Sequence, residues 1–156
     1  MSTKKMALIA TKGTLDMAYP PFILASTASA LGWDVQIFFT FYGLQLLRKN
    51  LDGIKISPLA NPAMPMPVPM PVMMQMLPGM ESMATMMMKK KMKKKGVASL
   101  QELRDICAES DVKFVACQMT VDLFDVKPGE FIDGVSFGGA ATFMQFAGEA
   151  DVCLFI

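Results

Sequence analysis

Residues 113–126 read KFVACQMTVDLFDV, and this stretch decides the fold. Lys113 to Ala116 predicts the end of a strand, because short β-branched and aromatic residues favour a pleated, buried surface. The residues after Cys117, through Leu123, predict the first turns of a helix. A strand that runs straight into a helix is the building unit of a parallel sheet. Cys117 stands at the junction. By position alone it is either a small hydrophobe closing a core or a nucleophile held at a helix N-terminus.

The same alternation recurs on both sides. MALIAT (6–11) is the apolar run of a central parallel strand, followed by the turn KGTLD. FILASTASALG (22–32) predicts a small-residue helix ended by Gly32, with Pro20 and Pro21 in its first turn or kinking it. DVQIFFTF (34–41) is a second strand, and YGLQLLRKN (42–50) a short helix. SLQELRDICAES (99–110) opens with Ser99 and Glu102 at capping-box spacing and places Leu100, Leu103, Ile106 and Cys107 on one face. After the Cys117 unit come a Pro128-Gly129 turn and a strand near Ile132–Ser136. A helix from about Ala140 to Gly148 and a final strand, DVCLFI, complete the chain. The right-handed crossover rule then predicts an α/β fold, a Rossmann-like or flavodoxin-like three-layer sandwich with about five mostly parallel strands.

Composition narrows the function. The 156 residues suffice for one domain with a substantial core. Hydrophobic residues reach 53% and charged ones only 19%, so apolar surface is expected to be hidden in an oligomer or against a membrane. Light scattering is expected to show a trimer or hexamer. Six lysines at 89–95 sit in a chain of net charge +1, leaving −5 for the remainder, which argues against bulk nucleic-acid binding. The absence of histidine removes Ser-His-Asp and Cys-His catalysis and histidine-containing metal sites. Cys107, Cys117 and Cys153 lack zinc spacing, and no metal or other cofactor is expected. MSTKKMALIA has no signal-peptide core, so a reducing, cytoplasmic setting is expected.

One segment interrupts the rhythm. Residues 58–78 carry seven of the ten prolines, and residues 64–92 carry twelve of the seventeen methionines. We read an insertion at about 58–96 within a single domain spanning 1–156. Prolines at 65, 67, 69 and 71 exclude a spanning helix, so 62–79 reads as extended chain and about 80–95 as a helix. Methionines packing on another subunit, a basic element on an anionic membrane surface, and a docking surface for an acidic partner compete for it. A copper(I) thioether site lacks a Met-x-x-Met repeat.

In an open parallel sheet, ligands bind beyond the carboxyl ends of the strands. A helix N-terminus there offers free N–H groups and about half a positive charge, both of which lower a thiol pKa. Cys117 has that position. Cys107 on a helix face and Cys153 within an apolar strand read as core, with Cys107 a weaker candidate for a resolving thiol.

ACQMTVDLFDV after its strand, TKGTLDMAYPPFILA, FFTFYGL and the closing GGAATFMQFAGEADVCLFI together resemble the DsrE/DsrF-like family. More narrowly, the chain resembles its DsrE-like branch of small sulfur-relay proteins, often labelled peroxiredoxin-like. The resemblance spans nearly the whole chain, including the insertion and its lysine run. It implies a Rossmann-like sandwich, homo- or hetero-oligomers, a cysteine carrying sulfane sulfur as a persulfide, and exchange with a TusA-like carrier or a rhodanese. That cysteine matches Cys117, and some relatives use a second thiol, for which Cys107 is the candidate. Lys12 and Tyr42 follow strands one and two at the same edge. They are placed to offer a cation and a hydroxyl to an anionic adduct such as a thiosulfonate. A solvated lysine and a packing tyrosine are the plain alternatives. The contrasting class is a non-catalytic oligomeric scaffold or membrane-peripheral adaptor that uses the Met/Lys segment while its cysteines only pack.

Overall fold

The computed structural model describes residues 2–56, 73 and 76–156. Its strands are β1 (Lys5–Ala10), β2 (Asp34–Phe39), β3 (Lys113–Cys117), β4 (Ser136–Gly138) and β5 (Val152–Phe155). The helices are α1 (Leu15–Ala30), α2 (Met80–Lys94), α3 (Leu100–Glu109), α4 (Gln118–Leu123) and α5 (Ala140–Ala147). A 3-10 helix covers Phe41–Leu47. All strand pairings in the sheet are parallel, in the order β4-β3-β2-β1-β5. The chain thus steps outward from β1 to β4, then crosses the whole sheet through α5 to place β5 at the opposite edge. The α/β expectation holds, with every strand parallel.

The two sheet faces are covered unequally. Leu8, Val35, Ile37, Phe39 and Phe114 pack beneath α1 and α3 in the main core. The alternate residues Ala7, Phe38, Val115 and Cys117 meet Phe143 of α5, whose ring stacks on Phe38 at 5.1 Å. Strand alternation explains this division, because successive side chains point to opposite faces.

Helix α1 begins well before the predicted start at residue 22. Leu15, Ala18, Tyr19, Phe22, Ala25 and Ala28 form one buried stripe at helical spacing. That stripe runs straight through Pro20 and Pro21, which lie inside the helix and remove two backbone hydrogen bonds. Packing outweighs that loss. The far end follows expectation: Gly32 adopts φ +79°, and the Gly32 and Trp33 N–H groups bond the Ser29 and Ala28 carbonyls as a Schellman cap.

Two other expectations are corrected. The strand placed near Ile132–Ser136 is instead β4 at 136–138, because Phe131 bridges Arg48 and the Ile132 N–H bonds the Leu47 carbonyl. Those residues hold the 3-10 helix rather than the sheet. Cys153 is exposed rather than core. It pairs with Ala7 in a four-residue edge strand, on the thinly covered face.

Helix α3 carries the expected capping box between Ser99 and Glu102. It also buries Arg104 completely, a residue that sequence reasoning passed over. Its guanidinium donates to the Leu46 and Arg48 carbonyls at 3.0 and 2.5 Å and to Gln101 Oε1 at 3.0 Å. A cation held by backbone carbonyls there ties α3 to the end of the 3-10 helix.

The expected helix at about 80–95 is α2, while the extended segment read at 62–79 lies largely outside the described residues. Ala84 and Thr85 are buried, and Met88 and Met92 pack against the main core. Thr85 Oγ1 accepts the Ile56 N–H at 2.9 Å and donates to the Glu81 carbonyl at 2.8 Å. Met83, Met86 and Met87 stay exposed. Among the described residues no helix is long and apolar enough to cross a membrane.

Candidate functional site

Cys117 ends β3 and is the N-cap of α4. Its side chain faces α5 and is 5% exposed, so the thiol is shielded yet sits at the sheet's carboxyl edge. Helix α4 has only six residues, which leaves little macrodipole to act on the sulfur. Local donors take over that part.

Burial pushes the Cys117 thiol up. The Thr120 hydroxyl and N–H, the Thr40 hydroxyl and the Met119 N–H push it down, and the result lies below the ordinary value for cysteine. The sulfur closes no side-chain cap hydrogen bond on α4. These groups favour its ionised form without closing such a bond. Asp122 is not among the groups that act on the thiol, and its carboxylate accepts the Gln118 Nε2–H at 2.7 Å.

The two threonines come from different elements. Thr120 is three residues past Cys117, at the N3 position, and is fully buried. Thr40 follows β2, which pairs with β3. Their hydroxyl oxygens lie 3.1 Å apart, and Thr120 Oγ1 also accepts the Phe41 N–H at 3.2 Å. Phe41 takes φ +48°, a conformation disfavoured for an aromatic residue. A strained backbone thus aims an N–H at the hydroxyl beside the thiol.

Sequence reasoning did not single out Thr40, Thr120 or Phe41. A signal existed for Thr120, since an N3 residue can meet an N-cap side chain. Thr40 and Phe41 lie in FFTFYGL, where nothing in the sequence reveals a left-handed residue.

Lys12 and Tyr42 are both exposed. The turn carrying Lys12 abuts the backbone at Tyr42: a Cβ on Gly13 would stand 2.5 Å from the Tyr42 carbonyl oxygen. Tyr42 stacks on Phe124, just past α4, at 6.0 Å and 19°. Phe41, Met119 and Leu123 add further exposed apolar surface on the elements flanking Cys117. A groove of about 1270 Å³ lies elsewhere, lined by Tyr19, Lys49, Lys89, Ser99 and Glu102 among others. Its lining includes neither Cys117, Lys12 nor Tyr42.

Cys107 is separated from Cys117 by the sheet. It belongs to the core beneath α1 and α3, fully buried, with Sγ 3.4 Å from the Phe22 carbonyl oxygen. Burial pushes its thiol up to about 12, against a smaller opposing effect from the Ser26 backbone. The folded state therefore holds a proton that the unfolded chain releases above its ordinary thiol pKa of about 8.5. The stabilisation this brings is complete below that value and is lost as pH rises toward 12. Iodoacetamide at pH 8 is expected to spare Cys107 in the native protein and to label it in urea. Native labelling at the rate of a free thiol would contradict this.

Among the described residues no three His, Cys, Asp or Glu side chains are grouped to hold a metal ion.

Comparison with known proteins follows the same lines. The chain is 63% identical to the sulfur carrier protein DsrE2 of Allochromatium vinosum, over 100% of both chains. It is 33% identical to the uncharacterized protein YrkE of Bacillus subtilis, covering 99% of this chain and 98% of the relative. The solved structure of the ychN protein from E. coli shares the fold, with TM-score 0.57 and 14% identity across 99% of this chain and 100% of that one. The model of the DsrE/DsrF/DrsH-like family matches residues 2–155, and the chain belongs to that family.

Proposed function

We propose that this chain is a sulfur-relay protein that carries sulfane sulfur on Cys117. The observation that carries the reading is a thiol kept below its ordinary pKa by surrounding donors, at the ligand-binding edge of the sheet. The printed name of the Allochromatium vinosum relative, a sulfur carrier, supports the same reading.

In loading, the Cys117 thiolate attacks the terminal sulfur of a donor persulfide. A new S–S bond forms at Cys117, the donor S–S bond breaks, and its electron pair leaves as the donor thiolate. No net oxidation occurs, and neither metal nor histidine is needed. A thiosulfonate forms from tetrathionate in the same way, with thiosulfate leaving. Discharge reverses the geometry: the thiolate of a TusA-like or rhodanese-like partner attacks the outer sulfur. Lys12 and Tyr42 are assigned to the rim, where they would meet an anionic adduct. Cys107, on the other side of the sheet, is assigned a structural role rather than that of a second thiol.

The test is intact mass after exposure to polysulfide, in a Cys153→Ser background that removes the exposed thiol. A gain of about 32 Da per added sulfur, mapped to Cys117 and discharged by a small thiol, is expected. A protein that stays unmodified sinks the reading.

The scaffold alternative draws on α2, which leaves Met83, Met86 and Met87 exposed beside the 89–95 lysines. We assign this surface to packing within a trimer or hexamer of one-domain subunits in the cytoplasm, with membrane contact by α2 as the competing use. Light scattering of the full chain and of a Met83/Met86/Met87→Ser variant separates them. Smaller species in the variant support the oligomer contact. An unchanged assembly, with vesicle binding lost on Lys→Ser replacement at 89–95, supports the membrane surface.

A further inference from the structure

We propose that Thr40 and Thr120 form a paired-hydroxyl donor to the Cys117 sulfur, and that the Phe41 N–H sets its direction. This rests on Cys117 being the reacting thiol, and it concerns how that thiol is kept reactive in a chain without histidine.

The proton inventory supports it. Two hydroxyl hydrogens serve three approaches: Thr40 to Thr120, and each of them to the sulfur. The Phe41 N–H already occupies a lone pair of Thr120 Oγ1. That contact withdraws charge from the oxygen and makes its own O–H a better donor. One arrangement satisfies everything when the sulfur is anionic: Thr40 donates to Thr120 or to sulfur, and Thr120 donates to sulfur. A neutral thiol sulfur is a much weaker acceptor than a thiolate, so the same two hydroxyls favour the anion in a site where Thr120 has no access to water.

No charged group competes. Around the sulfur, α5 supplies Phe143, β2 supplies Phe38 and Thr40, and β4 pairs Gly138 with Cys117. Asp122 on α4 is bonded to Gln118, and no charged side chain is among the groups acting on the thiol.

The pair serves both half-reactions. In loading it stabilises the attacking thiolate. In discharge the partner thiolate forms a bond to the outer sulfur, the Cys117 S–S bond breaks, and the electron pair returns to Cys117 Sγ. There the same two hydroxyls receive it, and a stabilised leaving group departs faster. A stabilised thiolate is also a slightly weaker nucleophile, so where the thiol is already ionised the device favours discharge over loading.

That trade gives a signature no merely structural role would produce. In the full chain carrying Cys153→Ser, Cys117 alkylation by iodoacetamide is followed against pH for Thr120→Val, Thr40→Val and Thr120→Ser. Each valine variant is expected to move the titration midpoint upward by about one unit. Well below both midpoints thiolate falls about tenfold, but each thiolate is more nucleophilic by a Brønsted slope of about 0.4–0.5. The rate there therefore drops about three- to fourfold, while the alkaline plateau rises about threefold, and the two curves cross. Thr120→Ser keeps the parent curve. Should Thr120→Val fail to fold, the half-buried Thr40→Val decides alone. Unshifted midpoints in the folded valine variants, or a serine variant as impaired as valine, overturn the proposal. Alkylation does not depend on sulfur transfer, so a protein that shows the crossing curves but takes up no polysulfide sulfur refutes the relay and leaves the hydroxyl pair standing.

Discussion

Cys117→Ser is expected to leave the protein folded and to abolish sulfur loading. The fold should tolerate the change because the residue sits at the edge of a small cluster of Ala7, Phe38, Val115 and Phe143, and serine is nearly isosteric. Its hydroxyl can join the Thr40–Thr120 pair. In the Cys153→Ser background the loss of loading should be complete because the remaining thiol cannot substitute. Cys107 is fully buried on the opposite sheet face with its thiol pushed up to about 12. Cys153 is open to solvent on edge strand β5, so any adduct there disappears with Cys153→Ser. The pH dependence adds a second check. A thiol held below its ordinary value stays ionised at pH values where a free cysteine is protonated. Wild-type loading should therefore persist to lower pH than for a free cysteine and fall off as pH drops through the folded pKa of Cys117. The sign for stability follows: this ionisation stabilises the fold above the unfolded thiol pKa of about 8.5, and the gain is lost on acidification. Intact mass spectrometry across pH 5–9 checks both statements. Equal loading of Cys117→Ser would remove Cys117 from the mechanism.

The strand-into-helix reading at 113–126 succeeded because each half has its own local signal. FVA is a buried run, and an abrupt change of period follows Cys117. The same holds for the Ser99–Glu102 capping box and for the Gly32 cap, whose chemistry lies within six residues. The misses are of another kind. Pro20 and Pro21 argued for a late helix start, yet the stripe from Leu15 to Ala28 outweighs two lost hydrogen bonds. Cys153 reads as core because β5 is apolar, but burial depends on which strand lies at the edge, and that is a property of the crossover. Arg104 looks like a surface charge until the 3-10 helix brings two carbonyls to it. The site divides in the same way. The place of Cys117 at a strand–helix junction was legible, whereas Thr40 and Thr120 are 80 residues apart and meet only because β2 and β3 are neighbours.

Gly43→Ala is expected to cost about 3 kcal/mol of stability, the upper part of the overpacking range. A Cβ at this position would stand 2.1 Å from the Ala10 carbonyl oxygen, 2.8 Å from its carbon and 3.3 Å from the Thr11 nitrogen. All three are backbone atoms, so no side chain can rotate away. Ala10 ends the central strand β1, and its carbonyl already accepts the Thr40 N–H at 3.1 Å. The strand is held on both sides by β2 and β5, which leaves the 3-10 helix as the part that must move. Gly13 leaves little room for retreat, since a Cβ there would stand 2.5 Å from the Tyr42 carbonyl oxygen. Displacing the 3-10 helix shifts Phe41, whose N–H anchors Thr120, and so loosens the donors around Cys117. The variant should therefore lose stability and raise the Cys117 titration midpoint together. Gly53→Ala is the control, because a Cβ there meets nothing within 4 Å and should change stability by no more than about 0.5 kcal/mol. Urea midpoints and the alkylation–pH curve measure the two effects. A Gly43→Ala protein that matches Gly53→Ala in both would show that the contact between the 3-10 helix and β1 does not hold the site.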